Sequence, residues 1–242
     1  MQHETVSRGE WLAARKELLR KEKEFTRLRD QLTAARRALP WVKVEKSYAF
    51  DGPNGKETLA DLFAGRSQLI VKHFMFGPDW TEGCVGCSFE LDHAIGALRH
   101  IERRDVSYAV VSRAPLAKSE PFRRRMGWQV KWVSSYASDF NFDFNVSFSP
   151  EQIAGGDACY NYQAGAAVGE EMSGRSVFYK DERGQIFHTY SSFARGGLGV
   201  QEVGGRSPTW ALRPALRPCP VSEVSQLRSF PRPAATSHQF TR

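Results

Sequence analysis

Residues 67–87 read SQLIVKHFMFGPDWTEGCVGC, and this stretch decides which fold the chain can adopt. Its first part contains a nearly continuous apolar run from Leu69 to Phe76, which is typical of a strand buried on both faces of a parallel sheet. The loop GPDWTEG follows, and Cys84 and Cys87 then open a segment with helical spacing. The stretch therefore predicts a strand, a loop and a C-x-x-C pair at the start of a helix.

The sequence on either side extends this unit into an α/β domain. Apolar residues recur at helical spacing over residues 84–104, and DVSYAVVS, residues 105–112, is typical of a second buried strand. The segment WVKVEKSYAF, residues 41–50, alternates like a half-buried strand, and KSEPFRRRMGW predicts a helix that ends at Gly127. SVFYKDERGQIFHTYSSF predicts an antiparallel hairpin, so we expect a three-layer α/β/α fold with a mixed sheet.

The position of the two cysteines favours thiol chemistry. The first turn of a helix has unpaired backbone N–H groups and the positive end of the helix dipole, and both stabilise a thiolate. Cys84, the more exposed member in this geometry, is the expected nucleophile, and Cys87, one turn inward, is expected to resolve a mixed disulfide. Asp79 and Glu82 lie close in the sequence and are expected to oppose ionisation of Cys84.

Three other interpretations of the pair stay open. A structural zinc site needs four ligands, and Cys159 and Cys219 are isolated from each other and from any close histidine. A thiol peroxidase is favoured by Thr81, three residues before Cys84, but Pro78 is one residue too near for the peroxiredoxin pattern P-x-x-x-T-x-x-C. In the third interpretation both cysteines are ordinary buried hydrophobic residues.

A few further residues are candidates for contact with a substrate. Trp80 is expected to form an apolar rim for the disulfide of a partner, and Thr81, the next residue in the loop, is expected to contact the substrate as well. His188, in the predicted hairpin, is a weaker candidate, and residues 123–125, three arginines, indicate a solvated helix face. No cofactor or metal is expected, because no glycine-rich phosphate loop follows a strand and no acidic cluster is spaced for a cation.

The N-terminal segment predicts one long amphipathic helix over residues 8–39. Apolar residues recur there at alternating steps of three and four, with Lys21 as the only polar interruption, which is a heptad pattern. Ser7 and Glu10 fit a capping box, and Pro40 supplies a stop. The apolar stripe either packs on the following domain or pairs with a second copy to form a homodimer, and the pattern leaves both open.

Composition limits the class of protein. The net charge of +7 would suit a nucleic acid, but residues 41–195 carry eighteen Lys and Arg against nineteen Asp and Glu, so the basicity belongs to the ends. No apolar run approaches the roughly 18 residues that span a bilayer, and no secretory signal is evident. We therefore expect a cytoplasmic protein that binds neither nucleic acid nor membrane.

The sequence divides into a helix over residues 1–40, a domain over 41–195 and an irregular tail over 196–242. The tail holds six of the twelve prolines and six arginines but no lysine, and it shows no hydrophobic period. A natural irregular tail is one hypothesis. A frameshift near codon 196 is the other, because a GC-rich gene read in the wrong frame gains Arg and Pro and loses Lys.

Several segments resemble a known bacterial family, among them RKELLRKEKEFTRLRDQL, HFMFGPDWTEGCVGCSFELD and VFYKDERGQIFHTYSSFARG. This is the domain-of-unknown-function family described as thioredoxin-like predicted dithiol–disulfide oxidoreductases. The resemblance runs from about residue 8 to Gly196. It implies a thioredoxin-like fold with Cys84 and Cys87 at the active site.

Thioredoxins also place a cis-proline opposite the C-x-x-C pair, and EEMSGRSVFYK, residues 170–180, has no proline. The expected reaction is exchange with a protein or small-molecule disulfide. The alternatives are a peroxiredoxin-like thiol peroxidase and a non-enzymatic dimeric interaction module on an inert thioredoxin fold.

Overall fold

The computed structural model describes residues 3–194. In chain order its elements are α1 (Arg8–Arg37), β1 (Val42–Lys43), β2 (Ala49–Gly52), β3 (Gly55–Thr58), a 3₁₀ turn (Asp61–Phe63), β4 (Gln68–His73), α2 (Val85–Ile95), α3 (Leu98–Glu102), β5 (Val106–Ser112), α4 (Leu116–Arg125), β6 (Lys131–Ser134), α5 (Phe140–Asp143), α6 (Pro150–Gly155), β7 (Cys159–Tyr160), β8 (Gln163–Ala164), β9 (Gly174–Lys180) and β10 (Ile186–Phe193). The tail segment 196–242, with the frameshift hypothesis attached to it, lies outside the described residues.

One mixed sheet organises the domain. Its strands run in the order β1-β10-β9-β4-β5-β6-β2-β3. β4 pairs parallel with β5 and β5 with β6, whereas β9 pairs antiparallel with both β4 and β10. The strand–helix–strand unit and the terminal hairpin predicted from the sequence are therefore confirmed.

The two faces of the sheet carry separate cores. Along β5, Ala109 and Val111 face a cluster covered by the 3₁₀ turn and α5, whereas Val110 faces a cluster covered by α2, α3 and α4. This alternation follows from the period of two residues in a strand. Helices on both faces of a mixed sheet, with the C-x-x-C pair after a central strand, make the fold thioredoxin-like, as expected.

The segment WVKVEKSYAF is not a single strand, contrary to the prediction. Its start forms β1, beside β10 at one edge of the sheet, and its end forms β2, beside β6 near the other edge. Between them Lys46 pairs with Asp143, and the hydroxyl of Tyr48 donates to the same carboxylate at 2.8 Å. The chain therefore crosses one face of the sheet, where the ring of Tyr48 is buried.

The helical stretch after the cysteines is also divided, into α2 and α3, with Gly96 and Ala97 between them. Further along the chain, the region 149–175 contains α6. α6 begins with a capping box in which Ser149 and Gln152 bond each other's backbone. The sequence SPEQ, residues 149–152, contains this capping-box pattern.

The N-terminal helix forms as predicted, with its capping box at Ser7 and Glu10, although it ends at Arg37. None of its residues is buried, and the ring of Trp11 is 56% exposed. Just beyond the helix, the ring of Trp41 lies 5.1 Å from that of Tyr179, so the chain is held at the edge of the sheet. The apolar stripe therefore does not pack on its own domain. None of the described helices is long and apolar enough to cross a membrane.

Candidate functional site

Cys84 lies at the N-cap of α2, at the end of a loop fixed by backbone hydrogen bonds. After β4, the N–H of Phe74 continues the ladder by donating to the carbonyl of Val111 at 2.9 Å. The N–H of Cys84 donates to the carbonyl of Met75 at 3.0 Å, so the loop closes on itself. The position of the sulfur is therefore set by the sheet.

Packing beneath the loop explains the glycine before the first cysteine. A β-carbon at Gly83 would lie 2.7 Å from a ring carbon of Phe74 and 2.9 Å from the ring of Phe122. Real β-carbons do not approach so closely. The absence of a side chain thus lets the loop rest on the aromatic core and presents Cys84 at the surface.

The two cysteines occupy different environments. Cys84 is half-buried, whereas Cys87 is 3% exposed. The Cys87 thiol acts on the pKa of Cys84 as a hydrogen-bond donor, and the backbone N–H groups of Cys87 and Gly86 act in the same direction. Led by the bond from the thiol, these donors lower the pKa of Cys84 to about 5 against an opposing effect of burial.

The pKa of Cys87 is raised, first because its thiol proton is held by Cys84 and second because the side chain is buried. The pair shares its protons, so the two titrations belong to the pair. Near neutral pH the arrangement holds an ionised sulfur at Cys84 and a protonated one at Cys87. This is the division of roles expected of a nucleophile and a resolving thiol.

A charged cluster lies under the helix that carries the cysteines. Lys72 of β4 is 1% exposed, and its ammonium donates to Glu90 of α2 at 2.5 Å. Arg175 of β9 also pairs with Glu90. The charge of Lys72 lowers the pKa of both Cys84 and Cys87. Sequence reasoning missed this cluster.

Glu82, which is expected from the sequence to oppose ionisation of Cys84, has a cation partner in the structure. Its carboxylate pairs with Arg125 of α4 at 2.9 Å, and this bond lowers the pKa of Glu82. The other arginines of the triplet are also engaged, because Arg123 and Arg124 both bond to Glu120. Arg124 and Arg125 are exposed and Arg123 is half-buried, so the triplet lies on a largely solvated helix face, and each of its cations also pairs with a carboxylate.

Trp80 and Thr81 both lie exposed in the loop before Cys84. The Trp80 ring folds back over the loop, since a β-carbon at Gly77 would lie 2.9 Å from its Nε1. The ammonium of Lys118 caps the same loop by donating to the carbonyl of Pro78 at 2.6 Å. A role for Trp80 and Thr81 in substrate binding stays a prediction.

Residues 1–203 match a protein family described as "Bacterial protein of unknown function (DUF899)". The chain belongs to this family. A search of curated proteins found no match. The description of the chain as thioredoxin-like rests on the fold described above.

Solved structures with related folds include peroxidoxin BcpB from Mycobacterium tuberculosis, with 13% identity, a TM-score of 0.43, and 64% of this chain and 83% of that chain covered. A bacterioferritin comigratory protein from Xanthomonas campestris shows 16% identity, a TM-score of 0.42 and coverage of 62% and 80%. A Chlorobium tepidum protein described as thiol:disulfide interchange protein DsbE shows 10% identity, a TM-score of 0.38 and coverage of 63% and 86%. At these scores the likenesses decide nothing about activity.

His73 and His188, the second of which is a candidate from the sequence, lie away from the cysteines. His73 is buried, bonds Ser176 at 2.8 Å and stacks on Phe140, which belongs to the core on the opposite face of the sheet from Cys87. His188 lies on that same opposite face, with its ring 5.2 Å from that of Phe144. His188 therefore does not face the thiol pair. Within residues 3–194, no group of three or more His, Cys, Asp or Glu could hold a metal ion.

Proposed function

We propose that this DUF899 protein is a thiol–disulfide oxidoreductase in which Cys84 is the nucleophile and Cys87 resolves the mixed disulfide. The observation that carries the proposal is the half-buried sulfur of Cys84 at the start of α2, where the Cys87 thiol and the backbone N–H groups of the first turn lower its pKa to about 5. A low thiol pKa in a partly exposed electropositive site is the mark of a reactive cysteine.

In the proposed reaction, the thiolate of Cys84 attacks one sulfur of a substrate disulfide. The S–S bond of the substrate breaks, and the displaced thiolate leaves and takes a proton from solvent. The thiol of Cys87 then loses its proton to solvent and attacks the sulfur of Cys84, releasing the second substrate thiolate. The substrate disulfide gains two electrons, and a Cys84–Cys87 disulfide forms.

The surface beside Cys84 supports a substrate with some apolar character. Trp80 is 37% exposed, Val85 is 84% exposed and Phe89 is 48% exposed. Val85 and Phe89 belong to α2 itself, and Trp80 to the loop that leads into it. We propose that this rim, with Thr81, contacts the chain or small molecule that carries the disulfide.

The test is capture of the first intermediate with glutathione disulfide as the probe. The Cys87→Ser variant cannot resolve the mixed disulfide, so it should accumulate one glutathione on Cys84, visible by mass spectrometry. The Cys84→Ser variant should accumulate none at that site. Absence of glutathione on Cys84 in the Cys87→Ser variant, or total labelling that is equal in rate and extent in the two variants, would refute the proposal.

A parallel reaction with hydrogen peroxide separates the two enzymatic alternatives. If Cys84 forms a sulfenic acid with peroxide faster than it forms the mixed disulfide, the peroxidase interpretation replaces the exchange reaction. If neither reagent distinguishes the variants, the chain is an inert thioredoxin fold. Each outcome is read from the mass of the peptide that contains Cys84.

A further inference from the structure

The uncovered stripe on α1 has a definite heptad register. Steps of three alternate with steps of four; the a positions hold Trp, Phe and Leu, and the d positions hold two Ala, one Leu and one Lys. The a positions are Trp11, Leu18, Phe25 and Leu32, with Leu39 just beyond the end of the helix, and the d positions are Ala14, Lys21, Leu28 and Ala35. Leu18 is 52% exposed, Phe25 58% and Leu28 62%.

We propose that this stripe binds the same stripe of a second copy, with the two α1 helices antiparallel and related by a two-fold axis beside Lys23. In an antiparallel pair each a residue faces a d residue of the partner. Residue numbers in facing positions then add to a constant, and the alignment centred on Lys23 overlaps the 30-residue helices end to end. The resulting layers are Trp11 on Ala35, Ala14 on Leu32, Leu18 on Leu28 and Lys21 on Phe25, each occurring twice.

The volumes of the side chains favour this orientation. Three of the four kinds of layer set a larger residue against a smaller or flexible one, so the seam has an even width. A parallel pair would instead place Trp11 on Trp11 and Ala14 on Ala14, which alternates crowded layers with voids. Voids and overpacked sites each cost on the order of 1–3 kcal/mol or more.

Lys21, which lies within the seam, also favours the antiparallel pair. In a parallel pair Lys21 would face its own copy, and two like charges would meet in the apolar seam. In the antiparallel pair it faces Phe25, where the alkyl stem can pack on the ring and the ammonium can lie over its face.

Charges beside the seam favour a parallel pair. In the antiparallel pair the g positions, which include Glu10, Glu17 and Glu24, face g positions of the partner, so like charges come together at Glu24. In a parallel pair Glu10 could meet Arg15, and Glu24 could meet Arg29, although Glu17 would meet the acidic Glu22. Exposed ion pairs are worth about 0–1 kcal/mol each, which is less than the packing differences.

The acidic side chains also have partners within their own helix. Arg20 bonds Glu17 at 2.8 Å and Glu24 at 2.6 Å, and Arg15 bonds Glu22 at 3.0 Å. They have no need of a second helix, so packing sets the orientation.

The antiparallel arrangement also separates the two domains. A helix of this length spans about 45 Å at 1.5 Å per residue, and the chain enters its domain at the C-terminal end of α1. The domains of the two copies therefore lie at opposite ends of the helix pair. The dimer is independent of the thiol chemistry, since no cysteine takes part in it.

The test uses the full chain and a reversed-charge pair in the Leu18–Leu28 layer. Light scattering after size-exclusion chromatography should show a dimer for the natural sequence and a monomer for Leu18→Glu, with at least a tenfold weaker association. Adding Leu28→Lys to Leu18→Glu should restore the dimer, because each introduced acid then faces an introduced base. Circular dichroism spectra and unfolding curves of the variants should match those of the natural protein, which excludes loss of folding as the reason for dissociation.

Three results would overturn the inference. The natural chain could be monomeric at tens of micromolar, or Leu18→Glu could leave the dimer intact. In the third, the double variant stays monomeric, which is the expectation for a parallel pair, where acid meets acid and base meets base. Exchange of Cys84 with a disulfide should be the same in all variants, so this test does not depend on the proposed function.

Discussion

The largest contribution to the low pKa of Cys84 comes from the thiol of Cys87, and the substitution Cys87→Ala removes it. A hydrogen bond to a charged group is worth about 1.5–3 kcal/mol, which equals about 1 to 2 in pKa. The half-buried position of Cys84 favours the lower part of that range. The backbone donors remain in the variant, so its pKa should rise from about 5 but stay below that of an ordinary cysteine.

The assay is the rate of reaction with a pyridyl disulfide as a function of pH, with Cys84→Ser as the background of the other thiols. At pH 5.5, a thiol with a pKa of about 5 is roughly 75% ionised, against about 0.1% for a pKa of about 8.5. The lower basicity of the Cys84 thiolate reduces its nucleophilicity about 25- to 55-fold. The net expectation is a rate about 15- to 30-fold above that of an ordinary thiol at this pH.

At pH 7 the two effects nearly cancel, so reactivity in acid is the informative observation. In the natural protein a second equivalent of pyridine thiol should follow as Cys87 resolves the adduct, and Cys87→Ala should release only the first. A rate that reaches half its maximum at pH 8 or above, or a midpoint that Cys87→Ala does not move, would refute this account of the site.

Three further predictions concern stability, each measured by urea unfolding. Lys72→Met removes one of the two cations that pair with Glu90 and should lower the free energy of unfolding by about 3 kcal/mol, since breaking a buried ion pair costs about 3–5 kcal/mol and Glu90 keeps its bond to Arg175. Gly83→Ala should cost about 1–3 kcal/mol because the new methyl group meets aromatic rings, whereas Gly96→Ala, which points into open space, should stabilise by about 0.4–1 kcal/mol. Burial lowers the pKa of His73 from its ordinary 6.5 to about 3, so below pH 6.5 the unfolded chain binds a proton that the folded chain does not. The free energy of unfolding should therefore drop by about 2 kcal/mol between pH 7 and pH 5. His73→Gln should remove that part of the drop.

The central unit of the fold could be predicted because its signals are local. The apolar run over residues 69–76, the loop with its glycines and proline, and the cysteines at the helix start each depend on neighbours in the sequence. The same holds for the capping box of α1. The separate environments of Cys84 and Cys87 followed from helix geometry alone.

Contacts between distant elements could not be predicted from the sequence. Lys72 interrupts an apolar strand, and only the packing of α2 brings Glu90, 18 residues later, to its ammonium. Glu82 and Arg125, 43 residues apart, are similarly brought together by the approach of α4. The division of WVKVEKSYAF depends on which strands compete for its two ends, and an alternating pattern does not specify that.

The hydrogen bonds at Cys84 also set how many protons accompany electron transfer. With Cys84 ionised and Cys87 protonated around neutral pH, reducing a disulfide between them would take up two electrons and a single proton. Its midpoint potential would then fall by about 30 mV per pH unit, half the dependence of an ordinary dithiol. The donors that hold the thiolate stabilise the reduced form over the disulfide, so they would raise the midpoint potential of the pair above that of the same dithiol without them.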